Sequence, residues 1–227
     1  MNDLELLQWV KLAYHTVNLV KINAYSLALP NDVVLEKVLY GEDRDGMRPF
    51  GLIVTKGDTT VVAFRGTEAW SEWYTDCEIE LIESKWGKGR VHGGFYNLYQ
   101  SIVDQDGNTD WRQSLRSRNV FVTGHSLGAA LATYTALDIG SRALVTFGSP
   151  KCGDKDFADN VQDTLGESKR YNSKFDPVPI LPLSTYHVAY AHFCKETLIW
   201  DKDNRILSPV KNHSLDRYAE LVGNVVP

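Results

Sequence analysis

The sequence predicts an α/β fold in which a largely parallel sheet is covered on both faces by helices. Three observations predict it. Short β-branched and aromatic runs such as Val120-Phe121-Val122 alternate, through the middle of the chain, with stretches whose apolar residues recur at helical spacing. A tight Gly-x-Ser-x-Gly turn, Gly124 to Gly128, joins one of those strands directly to a helix. The length of 227 residues suits one domain of this kind with a large core.

Taken in order, residues 3–22 place Leu4, Leu7, Val10 or Lys11, Tyr14 and Val17 or Asn18 at 3–4 spacing, with Leu6 and Trp9 widening the face. That is an amphipathic helix, and packing on the core is its default role. Phe50–Thr55 and Thr59–Phe64 flank Lys56-Gly57-Asp58, a hairpin pattern. Val91–Ser117 reads as helical around a Gly/Asp/Asn-rich interruption at 104–110. After Ser126, the residues Leu127, Leu131, Tyr134 and Leu137 recur at helical spacing, and Ala129, Ala130 and Ala132 let that helix lie close on a sheet. Arg142–Phe147 reads as a buried strand and Phe157–Leu165 as a helix. Lys169–Phe175 and Glu196–Trp200 read as strands, and His213–Val222 as a closing helix.

Composition excludes several function classes. Hydrophobic residues at 43% and charged residues at 23% are ordinary globular values, and a net charge of −5 argues against nucleic acid as a partner. No run of eighteen apolar residues exists, so no transmembrane segment is expected. No internal repeat or low-complexity linker is present. The start, Met1-Asn2-Asp3-Leu4-Glu5, lacks the features of a secretory leader. Cys77, Cys152 and Cys194 are odd in number and have no metal-ligand spacing. A cytoplasmic, reducing compartment is therefore expected, a mature secreted form with a new Met1 being the alternative; no cofactor and no metal are expected.

The chemistry centres on Ser126. A strand-to-helix reversal this tight admits only residues without bulk on either side, which Gly124 and Gly128 provide, and it presents the serine hydroxyl to a substrate. The helix that follows aims its first N–H groups at the place where an oxyanion would form. A nucleophilic serine needs a base and an acid that orients it. Asp176 closes a strand before Pro177-Val178-Pro179, on the sheet edge where ligand chemistry gathers, and is the preferred acid. Asp154 and Asp156 precede a helix and read as N-caps; Asp201 and Asp203 sit in a polar surface turn. Among the histidines that follow the acid, His187 and His192 belong to or adjoin the apolar run Tyr186–Tyr190 and read as core or edge residues. His213, at a loop-to-helix junction, is the preferred base.

Six segments occur in order: Phe64-Arg65-Gly66-Thr67, Val91–Phe95, Thr123–Ala130, Thr146–Pro150, Asp176–Pro179 and His213–Tyr218. Together they resemble the fungal-type class 3 lipase family, which has an α/β-hydrolase fold, over the stretch from about residue 50 to the C-terminus. The resemblance implies Ser126, Asp176 and His213 as nucleophile, acid and base, and Thr67 and Leu127 as oxyanion-hole residues. Arg65 is expected to buttress the hole, and His92 to cap the next helix. The segment 68–78 places Trp70, Trp73, Tyr74 and Cys77 on one helical face, opposite Ser71, Glu72, Thr75 and Asp76, at the position where the family carries its lid. The resulting expectation is a single α/β-hydrolase domain over 1–227 that cleaves acylglycerol esters, with a lipid substrate met at an oil–water interface. A soluble esterase, a phospholipase A1 and a catalytically silent lipid-binding fold are the alternatives.

Overall fold

A computed structural model describes residues 1–21, 29–67, 80–186, 188–203 and 206–225. Among them, eight strands form one sheet and two more form a separate short ribbon. We label the strands β1 (Val33–Asp43), β2 (Gly46–Lys56), β3 (Thr59–Phe64), β4 (Leu81–Glu83), β5 (Arg90–His92), β6 (Val103–Asp104), β7 (Asn119–His125), β8 (Ala143–Phe147), β9 (Glu167–Ser173) and β10 (Glu196–Ile199). The order across the sheet is β10-β9-β8-β7-β3-β2-β1-β6. The five strands from β3 to β10 in that order run parallel, and β2 and β1 extend the sheet as an antiparallel meander.

The parallel half is buried on both faces, and a two-residue period divides its side chains. On β3, Val62 and Phe64 face one hydrophobic cluster while Val61 and Ala63 face the other. The first cluster gathers Phe95, Tyr99, Trp111, Leu131, Tyr134 and Phe157, contributed largely by helices α2 (Gly93–Ser101), α3 (Leu127–Ile139) and α4 (Lys155–Thr164). The second gathers Leu6, Leu7, Ala13, Phe147, Tyr218 and Leu221, from helix α1 (Asp3–Lys21), the sheet and the final helix. On the amphipathic face of this helix Leu6, Leu7, Val10 and Ala13 are thus buried, and each fully buried Leu or Val contributes about 1.5–3 kcal/mol.

Local chemistry sets the helix ends. Asp154 Oδ1 accepts from Phe157 N at 3.0 Å, so it caps α4 as expected. His92 Nδ1 accepts from Phe95 N at 3.3 Å and caps α2. Near the C-terminus, a short helix α5 (Pro209–Asn212) precedes α6 (Leu215–Val225), so His213 lies between two helices instead of starting one. Two further expectations are corrected. The stretch after Ser101 is not helical: Asp104 Oδ1 accepts from the backbone N–H groups of Asp106 and Asn108 at 3.0 and 2.9 Å, folding a turn, and only a 3₁₀ turn at Gln113–Leu115 follows. Val33–Asp43, to which no element was assigned, is the strand β1; two register shifts against β2 break the alternation that marks a strand in sequence.

Burial also fixes the protonation of two histidines outside the site. Desolvation pushes His92 down to about 4 and His192 down to about 3, so both rings are neutral in the folded protein. In the unfolded chain histidine titrates near 6.5, so between those values the unfolded state holds more protons and stability rises with pH. The contribution is complete above about 6.5 and is lost as pH falls toward the folded values. Melting temperatures from pH 7.5 to 4.5 should decline through this window, and His192→Gln should flatten the decline. A flat wild-type series would contradict the burial argument.

Candidate active site

Strand β7 ends at His125 and α3 begins at Leu127, which leaves Ser126 alone to make the reversal, at φ 59° and ψ −132°. A non-glycine residue in that region costs of order 1–3 kcal/mol and persists only where its surroundings hold it. The surroundings here are specific. Ser126 N donates to Phe147 O at 3.0 Å and Ala129 N to Ser126 O at 2.8 Å. A Cβ on Gly124 would lie 2.1 Å from Gly128 O, and one on Gly128 would lie 2.5 Å from the carbonyls of Phe64 and Arg65. The elbow therefore has the geometry its sequence predicted, with one correction. The hydroxyl is not presented at the surface: Ser126 is 1% exposed, and its Oγ makes no hydrogen bond among the described residues.

Asp176 and His213 come together beside the elbow. Asp176 follows the C-terminal end of β9, and its Oδ2 is 2.8 Å from His213 Nδ1 and accepts from the Tyr218 hydroxyl at 2.6 Å. Its Oδ1 accepts from Val178 N at 2.9 Å, in the turn that the prolines stiffen. A carboxylate facing Nδ1 holds the proton on that nitrogen and leaves Nε2 as the basic one. Gly148, at φ 57° just past β8, makes the meeting possible. A Cβ there would stand 2.9 Å from Asp176 Oδ2, 3.0 Å from the Tyr218 oxygen and 3.1 Å from His213 Cε1.

Tyr218 was not singled out by sequence reasoning, although it lies in the segment His213–Tyr218. Its hydroxyl donates to Asp176 and accepts from Ser173 N at 3.0 Å. Burial, with the neighbouring Asp176 carboxylate, pushes its pKa well above the ordinary phenol value, so it remains a donor. His125 was missed too. Its ring stacks on that of His213 with centroids 4.6 Å apart, which brings His213 against the residue preceding Ser126.

The loop after β3 closes the site from the other side. The position of a Cβ on Gly66 would be 2.7 Å from Ser126 Cβ, which puts Gly66 beside Ser126. Leu127 is the first residue of α3, so its N–H has no carbonyl one turn back to bond. Arg65 is buried; its Nε donates to Pro49 O and its Nη1 to Gly66 O, both at 2.7 Å, a buttress and not a surface group. This part of the chain thus holds a serine hydroxyl, a carboxylate-oriented imidazole and backbone N–H groups, the kinds of group that acyl transfer requires.

The competing candidates lie elsewhere. His192 Nε2 bonds Pro179 O at 2.7 Å. Asp201 is not a plain surface-turn acid, since it pairs with Arg217 at 2.5 Å and both side chains are largely buried. Trp70, Trp73, Tyr74, Cys77 and His187 lie outside the described residues. Among the described residues no group of three or more His, Cys, Asp or Glu is arranged to hold a metal ion, and no helix is long and apolar enough to cross a membrane.

Comparison with known proteins bears on the family and the fold. A family model described as "Lipase (class 3)" matches residues 61–186. The lipase of Rhizomucor miehei is 32% identical over 167 residues, covering 67% of this chain and 45% of that protein. Phospholipase A1-II 1 of Oryza sativa subsp. indica is 34% identical over 129 residues, covering 43% of this chain and 32% of its own length. The chain thus spans less than half the length of these curated relatives. The solved structure of Rhizomucor miehei triacylglyceride lipase superposes with a TM-score of 0.68 at 25% identity, over 88% of this chain and 80% of that one. These matches carry the α/β-hydrolase-like arrangement of the sheet and helices.

Proposed function

The chain belongs to the class 3 lipase family, and from that premise we propose that it is a serine hydrolase cleaving the carboxylic esters of acylglycerols. The observation that carries this reading is the Asp176–His213 pair at 2.8 Å, set beside a serine held in a strained elbow. In the proposed sequence Ser126 Oγ attacks the ester carbonyl while His213 Nε2 takes its proton. Asp176 stabilises the imidazolium, with Tyr218 and Val178 N–H holding the carboxylate in place. The N–H groups of Thr67 and Leu127 receive the oxyanion, each worth roughly 3 kcal/mol in such sites. His213 then protonates the departing alcohol, and water releases the acyl group by the reverse route.

Burial of Ser126, Asp176 and His213 means that a substrate can reach them only after something moves. We assign that role to residues 68–78, as a lid whose Trp70, Trp73 and Tyr74 face turns to lipid at an oil–water interface. The domain is taken as a single α/β-hydrolase unit over 1–227. The cytoplasmic compartment is kept as part of this proposal, with a mature secreted form as the alternative. Similarity to a rice phospholipase A1 favours phospholipid esters as the second reading.

Rates on tributyrin across its solubility limit, beside a soluble short-chain ester and a phospholipid, test the proposal. Wild type should hydrolyse tributyrin and take up a fluorophosphonate on Ser126, not on Ser149, whose Oγ is bonded to Pro150 O at 2.9 Å. Trp70→Ser with Trp73→Ser should flatten the rise above saturation and leave the soluble ester nearly unchanged. An adduct on Ser149, or no adduct on active protein, removes the elbow reading. Curves of the same shape for both proteins remove the lid.

A further inference from the structure

Tyr14 lies on α1, far in sequence from every residue assigned a role above and outside the segment matched by the family model. Its hydroxyl nevertheless reaches the site. Gly66 N donates to it at 2.9 Å, and it stands 2.8 Å from His125 Nδ1. His125 Nε2 stands 2.8 Å from the carbonyl of His213, which can only accept, so the ring carries its proton on Nε2. In a neutral ring Nδ1 is then an acceptor, and the Tyr14 hydroxyl donates to it. Both ring nitrogens are engaged. Burial, followed by the neighbouring His213, holds His125 well below the ordinary histidine value, in keeping with a neutral ring.

One hydroxyl therefore ties together the loop after β3, the residue before the nucleophile and the backbone of the base. Gly66 is gripped at both ends: Tyr14 holds its N–H, and Arg65 Nη1 holds its carbonyl at 2.7 Å. In a trans peptide the carbonyl of one residue and the N–H of the next point in opposite directions in one plane. Fixing Gly66 O toward Arg65 thus fixes Thr67 N–H in the opposing direction, while Gly66 N–H belongs to the preceding peptide, whose plane Tyr14 holds, so the glycine is anchored on both sides. The place of a Cβ on Gly66 is 2.8 Å from the Tyr14 oxygen and 2.7 Å from Ser126 Cβ, so this clamp sits against the nucleophile.

We propose that Tyr14 is a positioning residue for ester hydrolysis, which with Arg65 anchors the two peptides flanking Gly66 so that Thr67 N–H is aimed at the developing oxyanion. This rests on the serine hydrolase reading. Its signature is a loss specific to the tetrahedral state. With Tyr14→Phe, kcat on a soluble ester should fall about 10–100-fold with KM within about twofold, since small misplacements of an oxyanion donor act on the transition state. Affinity for phenylboronic acid, which forms a tetrahedral adduct on serine, should fall in parallel.

The experiment normalises every rate to sites titrated by a fluorophosphonate. Val10→Ala loosens the same helix through a buried apolar contact alone, and should lower the melting temperature without changing kcat per titrated site. Arg65→Lys loosens the peptide on the other side of Gly66; it should give the same kcat and boronate signature and supplies the reading if Tyr14→Phe does not fold. Combined with Tyr14→Phe, it should cost less than the product of the two single losses. Unchanged kcat and boronate affinity in Tyr14→Phe would overturn the proposal, and so would an equal loss in Val10→Ala. Wild type that neither labels nor hydrolyses any ester would instead remove the hydrolase reading beneath it.

Discussion

Replacing His213 by Ala should lower kcat on a soluble ester by about a thousandfold or more while the protein stays folded. Among the described residues the proposed base is the imidazole whose Nδ1 faces a carboxylate beside the elbow, at 2.8 Å from Asp176. Asp176→Asn should act through the same bond. An amide can turn its NH₂ toward Nδ1 and so stabilise the wrong tautomer, and it gives up the charge that offsets the imidazolium. Members of such a set act as a unit, so Ser126→Ala added to His213→Ala should cost little more than either alone. Site-directed kinetics with a thermal melt for each variant measure this. His192→Gln should keep its rate, because its ring bonds only the Pro179 carbonyl among the contacts that define it. Asp201→Asn should lower stability through the buried Arg217 while leaving kcat nearly unchanged. A folded, active His213→Ala protein would move the base elsewhere.

What was legible in the sequence was legible because it is local. The elbow depends on Gly124, Ser126 and Gly128 at fixed offsets, and the candidate acid is an aspartate placed between a strand end and a proline. Long-range partners leave no such mark. Tyr14 falls on the apolar face of an amphipathic helix by its spacing, and its hydroxyl partners lie 52 and 111 residues away. Tyr218 likewise reads as a core aromatic of the last helix until Asp176, 42 residues earlier, folds onto it. The turn at 104–110 was recognised as an interruption, but not that the Asp104 side chain would replace helical bonding with its own. Burial of Ser126 was not legible either. Exposure at an elbow is a property of the turn alone, whereas coverage depends on what the rest of the chain lays over it.

Replacing Gly124 by Ala should cost the fold itself, and Gly128→Ala should do the same. The added methyl on Gly124 would meet Gly128 O at 2.1 Å, Gly128 C at 2.4 Å and Ala129 N at 2.8 Å. All three are backbone atoms of the first turn of α3, so no side-chain rotation relieves the overlap. On Gly128 the methyl would meet the carbonyls of Phe64 and Arg65 at 2.5 Å, the end of the neighbouring strand. Either change must push α3 away from β7 and β3, in the most thoroughly buried part of the sheet. Overpacking a core commonly costs about 1–3 kcal/mol where side chains can yield. With only backbone to move, roughly 4 kcal/mol or more is expected, a large share of the 5–15 kcal/mol typical of a domain. At this chain length that is a fall in melting temperature of about 10 °C. Gly166→Ala is the control: nothing lies within 4 Å of its Cβ position, and it should melt within a degree or two of wild type, by about 0.5 kcal/mol. Thermal melts of the three variants, with soluble yield recorded, decide the matter. If Gly124→Ala melts with wild type, the close approach of α3 to β7 is looser than these distances require, and the strained serine is held by something other than its two glycines.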